Sequence, residues 1–342
     1  MTGPGATILG CEGKALSPDE AAFFRDADPW GFILFSRNVD DPGQLRALCA
    51  DLRAAVGRDA PILIDQEGGR VARLGPPHWR AWLAPLDQVE LTGRQAARAM
   101  YLRYRLIADE LRQVGIDANC APVADIAGAG THPVLRNRCY GQDVVKVAEI
   151  AGAVAQALLD GGVLPVVKHL PGQGRATSDS HLELPRVTAR FKALRWRDFM
   201  AFEPLGELPM GMTAHVVYEA IDPDRPATQS PAVIDMIRAE IGFEGLLMSD
   251  DLSMQALSGD LGARAALSRA AGCDVVLHCS GLRAEMAQVV AAAGRLDGAA
   301  AARADRALGW RRPPLPIDIS AAEAEFRALM DLWGTPDEHA GI

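Results

Sequence analysis

The sequence has few of the residues that nucleic-acid and membrane surfaces require. Only 6% of its 342 residues are aromatic, and 44 acidic residues outnumber 35 lysines and arginines, which gives a net charge of -9. Nucleic acids and anionic lipids bind basic surfaces, so this balance argues against both partners. No apolar run is long enough to span a bilayer, and the first residues lack the pattern of a secretory signal. We therefore expect a cytoplasmic protein that binds neither nucleic acid nor membrane.

Cysteine pairs and a glycine-rich nucleotide motif are also missing. The six cysteines are scattered along the chain without a C-x-x-C pair, which argues against a zinc ribbon and against a disulfide scaffold. No G-x-G-x-x-G opens the first strand–helix unit, which argues against a dinucleotide-binding domain. We expect no metal and no cofactor.

Short apolar segments alternate along the chain with long amphipathic ones. Hydrophobic residues make up 49% of the sequence, enough for a large core. Strands this apolar need cover on both faces, which indicates a parallel sheet with outer helices. The pattern predicts an α/β fold with a single (β/α)8 TIM-type barrel. The predicted strands are residues 6–10, 31–35, 61–65, 117–123, 164–168, 210–215, 245–250 and 273–279, and the clearest helices are 42–56, 93–114 and 144–160.

The end of the chain differs in composition from the rest. We assign residues 1–309 to the barrel and residues 310–342 to a C-terminal segment that packs on it. This segment begins with a proline-rich break at 310–316 and continues with a predicted helix at 321–332 and a tail at 334–342. No room is left for a second large domain.

Polar side chains stand where the predicted strands end. In a barrel these ends converge on one mouth, so the residues are candidates for a shared site. Each has a structural alternative. Ser249, Asp250 and Asp251 could cap a following helix, for example, and Arg138 could be a surface arginine. The strand-end residues are Asp65, Asp125, Lys168, His169, His215 and Asp250, and we interpret His215 and His278 as packing residues.

The segment 168–181, with the sequence KHLPGQGRATSDSH, concentrates ionisable residues and glycines directly after a predicted strand. A carboxylate at Asp179 stands two residues before His181, an arrangement that can hold an imidazole in one tautomer. The structural alternative is that Asp179 caps the following segment. Ordering such a loop for structure alone is costly, which favours a functional role.

Three motifs in this order resemble the bacterial β-N-acetylglucosaminidases of glycoside hydrolase family 3. They are DQEGGRVAR at 65–73, KHLPGQG…DSH at 168–181 and SDDLSM at 249–254. Weaker matches are FSRNV at 35–39, APVAD at 121–125 and AGCDVV at 271–276. The resemblance covers residues 5–310 and implies a single barrel without the sandwich domain of larger relatives.

The resemblance also implies roles for individual residues. Asp250 would be the nucleophile of a retaining mechanism, His181 the general acid/base, and Asp179 the group that orients His181. The N-acetylglucosamine unit would be bound by Asp65, Arg73, Arg138, Lys168 and His169. The implied substrate is a muropeptide, N-acetylglucosamine β-1,4-linked to 1,6-anhydro-N-acetylmuramic acid with or without its peptide, and we expect a monomer.

One residue departs from the family pattern, and it leaves alternatives open. Gln173 stands where the family usually has histidine, which we interpret as a change in loop position and not as loss of activity. A non-catalytic sugar-binding protein remains an alternative, as does a phosphorylase that uses phosphate in place of water. A metal-dependent hydrolase built on His169, His181, His215 and Asp250 is a further one. If His181 is not the proton donor, Glu67 and Asp125 are the next candidates.

Overall fold

The computed structural model describes residues 3–331, and its centre is a closed barrel of eight parallel strands. Each strand pairs with its neighbours in chain order, and the last pairs with the first. The predicted TIM-type (β/α)8 barrel is thereby confirmed. The strands are β1 (Gly5–Gly10), β2 (Pro29–Leu34), β3 (Ile62–Ile64), β4 (Ala118–Asn119), β5 (Leu164–Leu170), β6 (Met210–Thr213), β7 (Leu246–Asp251) and β8 (Val275–His278).

Helices surround the barrel, and the short helix Pro133–Arg136 lies beside its mouth. They are α1 (Pro18–Ala27), α2 (Pro42–Val56), α3 (Pro85–Thr92), α4 (Ala96–Gln113), α5 (Pro133–Arg136), α6 (Val144–Asp160), α7 (Phe191–Ala193, which continues as a π-helix over Leu194–Phe199), α8 (Pro231–Ala239), α9 (Leu261–Ala271), α10 (Arg283–Ala293), α11 (Gly298–Gly309) and α12 (Ile319–Asp331). Within residues 3–331, none of them is long and apolar enough to cross a membrane.

Capping residues mark the ends of the helices whose bounds were predicted most accurately. Helix α2 begins at Pro42, after an Asp41 side chain that accepts hydrogen bonds from the amides of Gly43 and Gln44. It ends before Gly57, whose φ of 64° is the left-handed conformation that glycine adopts without strain. The predictions 42–56 and 144–160 are therefore confirmed to the residue.

Two elements differ from their predictions. The predicted helix 93–114 begins only at Ala96, after a 3-10 turn at Gly93–Gln95, and the separate helix α3 precedes it. The predicted strand 117–123 is reduced to Ala118–Asn119. Beyond it the segment stays hydrogen-bonded to β5, since Ala121 and Pro122 accept from the amides of Val166 and Lys168.

The C-terminal helix packs against α4 and the segment before α3. The Phe326 ring meets the Trp82 ring edge-on at 5.5 Å, and Glu325 accepts two hydrogen bonds of 2.7 Å from Arg98 on α4. The division of the chain at residue 310 stays a prediction. The tail predicted at 334–342 lies outside the described residues.

Candidate active site

The carboxyl ends of the strands surround a cavity of about 290 Å³. This volume lies near the lower end of the range of about 300–1,000 Å³ for small-molecule pockets, so it suits one sugar unit better than a long chain. Seven of the eight residues singled out from the sequence line it, namely Asp65, Arg73, Arg138, Lys168, His169, His181 and Asp250. The eighth, Asp179, lines a small hollow beside the cavity together with His181.

The cavity floor is a network of buried ion pairs. Lys168, at the end of β5, lies 2.9 Å from an Asp65 oxygen and 2.7 Å from a Glu67 oxygen. Arg138 donates two hydrogen bonds, of 2.9 and 2.7 Å, to the two oxygens of Glu67. Arg73 donates one of 3.0 Å to Asp65. Each charge on this floor therefore has a partner, and the donors are held at fixed positions facing the cavity.

These contacts set the ionisation of the network. Burial opposes the charged form of Glu67, but Arg138 and Lys168 outweigh it and lower the Glu67 pKa to about 2. Burial is likewise outweighed at Asp65, where Lys168 and Arg73 hold the pKa well below its usual range. Against burial, Asp65 and Glu67 raise the pKa of Lys168. Glu67 is thus ionised at neutral pH, which makes it a poor candidate for proton donation.

His169 is oriented from behind by Asp125, a fully buried carboxylate that follows β4. Its Nδ1–H donates to Asp125 Oδ2 at 2.7 Å, which leaves Nε2 near Arg138 Nη2 at 3.5 Å. Asp125 also accepts a 2.6 Å hydrogen bond from the backbone amide of Gln173. Asp125 therefore positions His169 and the start of the 170–182 loop at once, which makes it a poor candidate for proton donation.

The loop brings its carboxylate and imidazole into direct contact. Both the backbone amide and the ring Nδ1–H of His181 donate to Asp179 Oδ1, at 3.0 and 2.7 Å. Burial raises the pKa of Asp179, but these hydrogen bonds outweigh it, so the net shift is downward. The His181 side chain is 57% exposed. Nδ1 is thus occupied by an ionised carboxylate, and Nε2 remains free for proton transfer.

One contact joins the two ends of this loop, and three hold it against neighbouring segments. The side-chain amide of Gln173 donates to Ser180 Oγ at 3.1 Å and so joins the start of the loop to its end. Tyr218 donates to the carbonyl of Gly172 at 3.0 Å, Thr131 donates to the carbonyl of Gly174, and Arg175 Nε donates to Asp198 Oδ2 at 2.6 Å.

Glycine is required at two places in this loop. Gly172 has a φ of 132°, and a Cβ on Gly174 would lie 1.9 Å from the carbonyl oxygen of Ile126. The close approach of the loop to the barrel therefore depends on both residues.

Asp250 lies at the end of the barrel strand β7 and lines the same cavity as His181. Its Oδ1 accepts a 2.8 Å hydrogen bond from the Asp251 amide. Burial raises the Asp250 pKa, but His215, His169, this amide and Lys168 outweigh it, so the net shift is downward and the group is an ionised carboxylate. No helix starts after Ser249–Asp251, since the next one, α9, begins at Leu261, so the helix-cap alternative was wrong.

His215 supports this strand end from behind. It is fully buried, and its Nε2–H donates to the Asp251 carbonyl at 3.0 Å while its Nδ1 lies 2.7 Å from Thr228 Oγ1. Burial lowers its pKa, and its contacts with the Asp251 carbonyl and Thr228 make it a positioning residue, as the sequence suggested. Within residues 3–331, no three His, Cys, Asp or Glu side chains are grouped as metal ligands would be. The four residues of the metal-hydrolase alternative therefore do not form a ligand set.

Sequence reasoning missed several residues of the cavity wall. Arg70 lines it at the rim, and its position in the 65–73 motif, directly after two glycines, is the signal that could have revealed it. The apolar wall had no such signal, because single apolar residues on different strands have no common motif. It consists of Ile33, Phe35, Val71, Met212, Met254 and Leu277.

The family description that matches this chain is the N-terminal domain of glycosyl hydrolase family 3, over residues 16–308. The chain belongs to glycoside hydrolase family 3. A family relative named beta-hexosaminidase, from Alkalilimnicola ehrlichii, is 40% identical over 284 residues, which are 81% of each chain. The family and its curated relatives show that the chain is a β-N-acetylhexosaminidase, a glycosidase.

Solved structures of the same family superpose on the chain. Native NagZ from Neisseria gonorrhoeae has a TM-score of 0.83 at 29% identity, with coverage of 98% of this chain and 99% of that one. The same protein in complex with N-trifluoroacetyl-D-glucosamine has a TM-score of 0.83 at 28% identity, with coverage of 97% and 98%. A family 3 β-N-acetylglucosaminidase from Paenibacillus is 30% identical with a TM-score of 0.79, and the chain covers 61% of that longer protein.

Proposed function

We propose that this hydrolase removes the non-reducing N-acetylglucosamine from muropeptides, with retention of configuration. The observation that best supports this proposal is that two groups line the same cavity. They are the ionised strand-end carboxylate of Asp250 and the imidazole of His181, which Asp179 supports. Retention requires a carboxylate to trap the anomeric carbon and a proton donor for the leaving oxygen.

In the first proposed step, Asp250 attacks the anomeric carbon as the glycosidic bond breaks. The leaving oxygen takes the proton from Nε2 of the His181 imidazolium, and Asp179 stabilises that charge through Nδ1–H. In the second step, neutral His181 takes a proton from water, the resulting hydroxide attacks the anomeric carbon, and the bond to Asp250 breaks. Free sugar and the starting enzyme result, so protons balance over the cycle.

The proposed sugar-binding set is Asp65, Arg73, Arg138, Lys168 and His169. Its charges are neutralised by one another, by Glu67 and by Asp125, so it presents fixed donors and acceptors and little net charge to the ligand. This suits the hydroxyl and acetamido groups of a neutral sugar. The N-trifluoroacetyl-glucosamine complex of the Neisseria NagZ supports a substrate of this class.

The test compares an aryl β-N-acetylglucosaminide with the corresponding β-glucoside, followed by the natural disaccharide N-acetylglucosaminyl-1,6-anhydro-N-acetylmuramic acid. We expect strong preference for the N-acetylglucosaminide, since a site built to hydrogen-bond an acetamido group leaves buried groups unpaired when it is missing. Equal rates on the two aryl substrates would contradict the N-acetyl assignment. An enzyme that cleaves the aryl compound but not the disaccharide would contradict the muropeptide assignment alone.

Product analysis in phosphate buffer decides between the two fates of the glycosyl-enzyme. We expect free N-acetylglucosamine at every phosphate concentration. Accumulation of the sugar 1-phosphate in proportion to phosphate would instead support the phosphorylase.

A further inference from the structure

We propose that Arg70 binds a carboxylate of the leaving group and so makes the enzyme selective for anionic aglycones. This rests on the proposed muropeptide function and adds a specificity-determining residue to it. Arg70 lines the cavity at its exposed rim, immediately after the Gln66–Gly68 strand of the small hairpin that precedes α3.

Among residues 3–331, every cationic side chain of the cavity except Arg70 forms an ion pair with a carboxylate. Four cationic side chains line the cavity, and three of them, Arg73, Arg138 and Lys168, are paired with Asp65 or Glu67. Arg70 is different, since among residues 3–331 its one hydrogen-bond partner is the carbonyl of Val134. Burial and the nearby Arg138 guanidinium lower its pKa and outweigh the opposite effect of the Glu67 and Asp179 carboxylates, neither of which forms an ion pair with Arg70. An anion arriving at this point would supply that charge.

The position of Arg70 also points to contact with the leaving group. Val134, which accepts the hydrogen bond from Arg70, lines the small hollow beside the cavity together with Asp179 and His181. Arg70 is thus on the side of the acid/base pair. Because the acid must face the leaving oxygen, groups on its solvent side lie against the leaving group and not against the N-acetylglucosamine ring.

The chemistry of the substrate suggests which anion Arg70 would bind. N-acetylglucosamine is neutral, so its own binding does not explain a cation without an ion-pair partner. A muramic acid leaving group carries a lactyl carboxylate, or the carboxylates of a peptide attached to it. The carboxylates of Asp179, Asp250 and Asp251 beside the cavity, and a net charge of -9, disfavour anions, so local compensation would be needed to accept one.

The experiment uses two forms of one disaccharide, N-acetylglucosaminyl-1,6-anhydro-N-acetylmuramic acid with a free lactyl carboxylate and its lactyl methyl ester. For the wild type we expect kcat/KM to fall about tenfold on esterification, the size of a charge-assisted hydrogen bond. Added salt should reduce this difference, because the rim is exposed. In Arg70→Gln the acid and the ester should react at similar rates, and Arg70→Lys should restore part of the preference.

Arg136→Gln is the matched control, because Arg136 is an exposed arginine two residues after Val134 and is not among the cavity-lining residues. It should keep the wild-type preference, although the net charge changes equally. Equal wild-type rates on acid and ester would overturn the role of Arg70 and leave the muropeptide function standing. Equal losses on both substrates in Arg70→Gln would assign Arg70 to supporting the Val134 segment. A wild type that cleaves neither disaccharide but hydrolyses the aryl compound would overturn the muropeptide function itself.

Discussion

Replacing Glu67 with glutamine tests whether the cavity floor is held together by charge. The side chain is fully buried and accepts hydrogen bonds from Arg138 and Lys168, and these partners lower its pKa from 4.5 to about 2. At about 1.4 kcal/mol for each pH unit, that difference corresponds to a stabilisation on the order of 3 kcal/mol at neutral pH. Removal of one partner from other buried ion pairs costs a similar amount, about 3–5 kcal/mol.

The pH dependence distinguishes this explanation from loss of packing. A depressed pKa stabilises the folded state above the unfolded value of about 4.5, and this stabilisation is lost as the pH falls toward 2. The difference in unfolding free energy between wild type and Glu67→Gln, measured in urea, should therefore shrink by about 1 kcal/mol from pH 5 to pH 3.5. A difference that stays constant over this interval would refute the electrostatic reasoning.

Glu110→Gln is the control with the opposite sign. Glu110 is also buried and paired with Arg80 at 2.6 Å, but here burial outweighs the arginine and raises the pKa. An acid with a raised pKa stabilises the fold increasingly as the pH falls through its folded value. Relative to Glu110→Gln, the wild type should gain stability on acidification, whereas relative to Glu67→Gln it should lose it. Parallel trends in both variants would point to a general effect of acid.

Three further predictions concern catalysis. Asp250→Ala should lower kcat by on the order of 10⁴ or more, and mass spectrometry after reaction with a 5-fluoro glycosyl donor should find the wild-type label on Asp250; label on Asp251 would contradict the assignment. His181→Ala should nearly abolish disaccharide cleavage but spare the first step on a nitrophenyl glycoside, because that leaving group needs no proton. Asp179→Ala should give a milder form of the same pattern. Equal losses on both substrates would argue against general acid catalysis. Arg175→Met removes the ion pair that holds the loop on Asp198. It should lower kcat/KM on both substrates alike and increase proteolysis within 170–182. An unchanged digestion pattern would show that this pair does not hold the loop.

The barrel could be predicted from the sequence because its signals are local and repeated. Each strand is a short apolar run next to a helical pattern, and caps such as Asp41 and Gly57 mark where helices begin and end. The strand at 117–123 was overestimated because its apolar residues continue past Asn119, where the regular strand ends although backbone hydrogen bonds to β5 continue. Helix α3 was missed because only eight residues form it, too few for a clear helical period.

The site was predictable to the extent that strand ends converge. The sequence alone placed Asp65, Lys168, His169 and Asp250 at one mouth, and the family resemblance supplied their proposed roles. The partners could not be predicted, because they depend on distances between segments far apart in the chain. No local pattern indicates the ion-pair partner of Glu67, yet Arg138, 71 residues away along the chain, keeps it ionised.

The division of the site between scaffold and loop has a mechanistic reason. The proposed nucleophile must keep a fixed position relative to the anomeric carbon in both steps, and Asp250 lies on a barrel strand with its carboxylate fixed by the Asp251 amide. The proposed acid/base must face the leaving group in one step and water in the next, so His181 has to allow exchange of one for the other. His181 lies on a loop that depends on glycine, and its exposed ring is held through Nδ1 alone. The leaving group can therefore be exchanged for water without movement of the nucleophile. Gln173 acts at this junction. Its side-chain amide donates to Ser180, which stands between the two members of the pair, and its backbone amide donates to the Asp125 that orients His169.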